Sequence, residues 1–145
     1  MMAVPPNSSD FAVVSIDLTT TILRTKDVPL SKRSESKIRE SVDRYKKFLA
    51  LIKKYPGVTF VPTKDIDDVW HSHMLSPRAY CLDTITYFGQ ILDHNAGFGS
   101  IENEKENWIH AFNMTSEIWR IEYNEEYTRR KTGKYCGGGG DGGRR

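Results

Sequence analysis

Apolar residues recur at helical spacing over most of the chain. Ile38, Val42, Tyr45, Leu49 and Ile52 follow one another at intervals of four, three, four and three, which predicts a helix from about Ser34 to Tyr55. Lys and Arg fill its opposite face, and Pro56-Gly57 ends it. VTFVP then reads as a short extended connector, apolar enough for burial. A shorter helix is expected from about Lys64 to His73, because Ile66, Val69, Trp70 and His73 fall at i, i+3, i+4 and i+7. Asp65, Asp67 and Asp68 lie in its first turns, where negative charge favours the helix dipole.

Ser76-Pro77 starts the next helix, with Ser at the N-cap and Pro at the first helical position. That helix should bury Tyr80, Cys81 or Thr84, and Phe88. DHNAGFGS, residues 93–100, is a loop by its Asn and Gly content. The last helix is predicted from about Ile101 to Tyr127. Trp108, Phe112, Trp119 and Tyr123 form one stripe on it, and Ala111, Met114, Ile118 and Ile121 form a neighbouring one. Before residue 30 the pattern is ambiguous: VVSIDLTTTI suits a strand or a short helix capped by Asp17.

Composition narrows the class. The 145 residues suffice for one ordinary domain, and 38% apolar with 28% charged content suits a globular protein. No apolar run approaches the roughly 20 residues that span a bilayer. The start, MMAVPPNSSD, lacks the basic and apolar regions of a secretory signal. Cys81 and Cys136 are too few for a disulfide framework, so an intracellular, cytoplasmic setting is expected.

Charge is segregated beneath a net +2. Residues 32–54 carry nine Lys/Arg against three Asp/Glu, residues 83–126 two against nine, and the end from Tyr127 six against one. Facing basic and acidic surfaces within the fold account for this more simply than a nucleic-acid or lipid surface does. The basic segment carries no RNA-binding signature with interleaved aromatics. A protein partner stays open as a reading, and a membrane span does not.

The candidate chemistry lies in VWHSHMLSPRAYCLD. Imidazole and carboxylate together bind divalent metals such as Zn. Asp67 and His71 share a helix face at i, i+4, whereas His73 points about 200° further round. All three converge only if the helix ends near Met74, and His94 of the loop could add a ligand. In the bland alternative, His71 is held by an acid one turn back and His73 is a hydrogen-bonded core histidine under Trp70. Cys81 suits a small core position, although a Cys81–His–Asp83 nucleophile is conceivable. No nucleophile elbow, phosphate loop or dinucleotide fingerprint occurs, so no residue is assigned a catalytic role.

These residues also form a larger pattern. RYKKFLALIKKYPGVTFVPTKDIDDVWHSHMLSPRAYCLD, then G-x-x-x-D-H, then F-x-x-T-x-x-x-W-x-x-x-Y, resembles the glycine-rich domain-containing protein-like family. The matching positions include Tyr45, Asp67, Trp70, His71, His73, Pro77, Tyr80, Asp83, Asp93, His94, Phe112, Thr115 and Trp119. They span residues 44–127. The loop reads Asp93-His94-Asn95-Ala96 where the family pattern is Asp-His-Asp-Asp, and the Gly-rich tail is short. The resemblance implies links to stress and hormone responses and to development, with no established biochemical activity. It also implies a shared polar site around His71, His73 and His94, either a metal centre or a buried hydrogen-bond network. Buried polar positions are costly unless each is paired, so several together point to one site.

The expected fold is a mainly α single-domain bundle of four or five helices with a short extended N-terminal segment. Residues 1–10 form a flexible lead-in, 11–130 the helical domain, and 131–145 a flexible Gly/Arg-rich tail. The expected role is an interaction or regulatory module. The alternative is a metal-binding domain or metalloenzyme with His71, His73, His94 and Asp67 as ligands. Asp83, Trp70, Tyr80 and Asp93 would then be supporting or structural.

Overall fold

The computed structural model describes residues 14–25 and 29–128. The fold is mainly α, with five α-helices and no strand among the described residues. They are α1 (Leu18–Arg24), α2 (Glu35–Lys54), α3 (Lys64–Met74), α4 (Pro77–Phe88) and α5 (Lys105–Tyr123), with 3-10 turns at Pro29–Lys32 and Glu102–Glu104. None is long and apolar enough to cross a membrane. The lead-in of residues 1–10, the tail of residues 131–145 and Cys136 lie outside the described residues.

The helices group in two compact units. One holds the described residues up to 56 together with 65–94. The N-terminal ambiguity resolves as a helix, because the Asp17 side chain caps α1 by accepting from the Thr20 amide. Ser34 caps α2, whose stripe of Ile38, Val42, Tyr45 and Leu49 is buried, joined by Phe48 and Leu51. The basic face of α2 has one inward exception. Arg44 is buried and its Nε donates to Asp65 Oδ2 at 3.0 Å, so pairing offsets its desolvation.

Helix α3 buries Ile66, Val69, Trp70 and His73, the face its spacing predicts. Pro77 opens α4, although the Ser76 side chain makes no capping bond. Tyr80 and Thr84 are buried on α4, while Cys81 and Phe88 are only half-buried. Gly89 ends the helix at φ +82°, the left-handed conformation glycine adopts freely.

The second unit holds residues 57–64 and 95–128. Here α5 starts later and stops earlier than its apolar pattern predicts. Glu102–Glu104 forms a separate 3-10 turn, and Asn124 at φ 53° ends the helix. Tyr127 therefore lies beyond the helix, and its hydroxyl donates to Val61 O at 2.8 Å and accepts from the Thr63 amide. The buried face is Ala111, Phe112, Thr115 and Trp119. Met114 and Ile121 of the second stripe are exposed, so the apolar face that packs is narrower than the sequence suggests. In the connector, Val61 is buried and Val58 is exposed. Gly99 is required: its φ is +90°, and a Cβ there would lie 2.5 Å from the Trp108 ring.

Candidate functional site

Two polar groups flank Trp70, and α3 separates them by its own geometry. His73 faces the interior and is fully buried. Its Nδ1 lies 2.8 Å from the Tyr45 hydroxyl and its Nε2 lies 2.8 Å from Asp83 Oδ2. Asp83 also accepts from the Ser15 amide at 3.0 Å, so the bonds run from α2 through α3 to α4. Burial pushes the Tyr45 phenol far above its ordinary range, so it remains a hydroxyl and donates to Nδ1. The tautomer follows: Nε2 carries the proton and donates to the Asp83 carboxylate. Burial also lowers the His73 pKa, although the bond to Asp83 opposes that shift. A neutral imidazole with both nitrogens engaged is a structural link between helices.

On the other side of α3 lie Asp67 and His71, one turn apart. His94 Nε2 donates to Asp67 Oδ1 at 2.8 Å, and His71 Nε2 is 3.5 Å from the same oxygen. The donor atoms of these three residues all lie within 4.8 Å of one another. Cover over the group is uneven, with side-chain exposures of 11% for His94, 27% for Asp67 and 46% for His71.

The residues around His94 explain how a loop residue reaches helix α3. Trp70 Nε1 donates to the Tyr80 hydroxyl at 2.9 Å, and that hydroxyl donates to Leu92 O at 2.7 Å, two residues before His94. The Trp70 ring meets the His94 imidazole edge-on, with centroids 4.4 Å apart. Trp70 and Tyr80 thus hold the segment that carries His94. Burial raises the Tyr80 phenol above its usual value; the bond from Trp70 opposes this, and the Asp93 charge adds to it.

The sequence candidates divide accordingly. Asp67, His71 and His94 come together. His73 stands apart with Asp83, because its position on α3 turns it into the core. Asp93 is exposed and lies outside the three-donor group. Cys81 takes no part in the Tyr45–His73–Asp83 chain of bonds. Tyr45 was legible only as a core aromatic. Its role as the partner of His73 had no sequence signal, since the two lie 28 residues apart.

Residues 17–83 match the glycine-rich domain-containing protein-like family. The matched stretch takes in α1, α2, α3 and the first part of α4. It is similar to Glycine-rich domain-containing protein 1 of Arabidopsis thaliana, at 33% identity over 94 residues, 62% of this chain and 11% of that protein. It matches Glycine-rich domain-containing protein 2 of the same plant at 33% identity, covering 12% of that protein. The chain thus spans about a tenth of the length of these curated relatives. No solved structure matches it significantly. The buried His73–Asp83 pair and the Asp67–His71 pair lie inside the family match, and His94 lies beyond it.

Proposed function

We propose that this is a metal-binding helical domain in which Asp67, His71 and His94 ligate a divalent transition ion such as Zn. The observation carrying the reading is the convergence of two imidazoles and one carboxylate within 4.8 Å, partly open to solvent. Bonds of about 2.0–2.2 Å to a tetrahedral ion separate the donors by roughly 3.3 Å. The observed spacings of 2.8 and 3.5 Å bracket that value, and exposed His71 can turn to close the remainder. His73 is left out of this ligand set, because Tyr45 and Asp83 occupy both its nitrogens.

The test is metal analysis of the 145-residue chain purified without a His-tag, followed by Zn(II) titration calorimetry. One equivalent bound by the wild type and lost in His71→Ala supports the reading. A folded wild type with no stoichiometric uptake overturns it, and the Asp67–His94 contact is then only a latch for the loop.

A second reading, an interaction or regulatory module, is favoured by the exposed Leu82 and Ile85 on α4. Leu82 lines an open depression of about 410 Å³ together with Ser15, Ser76, Pro77, Arg78 and Ala79. Proximity labelling in host cells with the wild type and a Leu82→Glu/Ile85→Glu variant tests it. Identical neighbours for both would count against docking at α4. Under either reading the domain would serve the stress and developmental responses that the family resemblance implies.

A further inference from the structure

The donor set has a consequence for what else the ion would bind. No fourth His, Cys, Asp or Glu joins Asp67, His71 and His94 among the described residues. Zinc takes four ligands and other first-row ions up to six, so three protein donors leave coordination positions to be filled. Where those positions face follows from the cover. Trp70 packs against His94 in an edge-to-face contact that covers this side, and the His94 side chain is only 11% exposed. His71, at 46%, is the open side. Charge then selects the incoming donor. A divalent ion held by one carboxylate and two neutral imidazoles keeps a net positive charge, and the ion dominates the local field. An anionic donor is therefore preferred over a neutral one of equal size.

We propose that the ion at Asp67, His71 and His94 keeps a solvent-facing coordination position on the His71 side, and that it takes a small anionic oxygen or nitrogen donor such as a carboxylate. This rests on the metal reading above and goes one step past it, to the class of ligand the site accepts. Two histidines and one carboxylate with open positions is a donor set suited to binding an exogenous ligand at the ion.

The experiment uses Co(II), whose visible absorption reports coordination number and donor type, on the full chain without a tag. Titration with Co(II) alone should give a visible band that saturates at one equivalent. Adding azide, and separately acetate, should then shift that band in a saturable way. The Asp67→Asn and His71→Ala variants, checked for folding by circular dichroism, should each weaken Co(II) uptake at least tenfold. A saturating Co(II) band that azide and acetate leave unchanged overturns the open position while leaving the metal reading intact. So does a near-ultraviolet thiolate-to-cobalt band, because a cysteine would then fill the place assigned to the incoming ligand. Absence of any Co(II) uptake by the folded wild type overturns both proposals.

Discussion

The Tyr45 hydroxyl and His73 Nδ1 lie 2.8 Å apart, joining α2 to α3 where no solvent reaches the imidazole. Each group removes the other's desolvation cost. The phenol loses water but keeps an acceptor, and the imidazole loses water but keeps a donor on one nitrogen and an acceptor for the other. Neither residue can be truncated without stranding its partner, since a buried polar atom left unpaired bears its full desolvation penalty.

Tyr45→Phe isolates that bond, because it removes the hydroxyl and keeps the ring in the core. It should cost about 1–3 kcal/mol at neutral pH through the unsatisfied Nδ1. It should also change the alkaline limb of stability. The folded phenol is held far above its ordinary value, so above about pH 10 the unfolded chain releases a proton that the native chain retains. Stability is therefore lost as pH rises past about 10, and Tyr45 contributes up to about 1.4 kcal/mol per pH unit to the slope. Denaturant melts between neutral pH and pH 11 should show a shallower alkaline decline for Tyr45→Phe than for the wild type. Equal slopes would mean that the phenol is not sequestered in the native state.

Truncations along α3 should rank by burial. Trp70→Ala empties a core site and frees Tyr80 from its indole donor, so it should cost about 3–5 kcal/mol. His73→Ala strands the Tyr45 hydroxyl and leaves Asp83 with only the Ser15 amide as a donor, and should cost about 1–3 kcal/mol. His71→Ala removes a half-exposed side chain and should change metal-free stability by no more than about 0.5 kcal/mol. Urea melts of the three variants measure the order. If His71→Ala unfolds the domain as severely as Trp70→Ala, its role is structural and the ligand assignment fails.

The unit built on α5 has its own buried polar junction. The Thr115 hydroxyl accepts from the Val61 amide at 3.0 Å and donates to Ala111 O at 2.7 Å. Thr115→Val keeps the volume but leaves that amide without its acceptor, for a cost of about 1–3 kcal/mol. Thr115→Ser keeps the hydroxyl and should recover most of the loss. Amide hydrogen exchange at Val61 reads the effect directly. It should quicken in Thr115→Val and stay slow in Thr115→Ser; unchanged protection in Thr115→Val would show that the amide has another acceptor.

Much of this protein follows from the sequence by itself. The start and end of α2 come from Ser34 and from Pro56-Gly57, and the start of α4 comes from Pro77. The inward turn of His73 and the outward turn of His71 follow from their places relative to Ile66, Val69 and Trp70. All of these depend on hydrogen bonds and side-chain spacing within a few residues, which the order of residues states directly. The tertiary structure decided which polar groups meet. Tyr45 finds His73 across 28 residues and His94 finds Asp67 across 27, and no local periodicity encodes either pairing. Burial of Arg44 and exposure of Met114 and Ile121 depended on tertiary packing in the same way. An apolar or charged residue on a helix shows which face it occupies, but its exposure depends on what packs against that face. The grouping of His94 with His71 rather than with His73 has the same cause: the segment held by Trp70 and Tyr80 reaches only one side of α3.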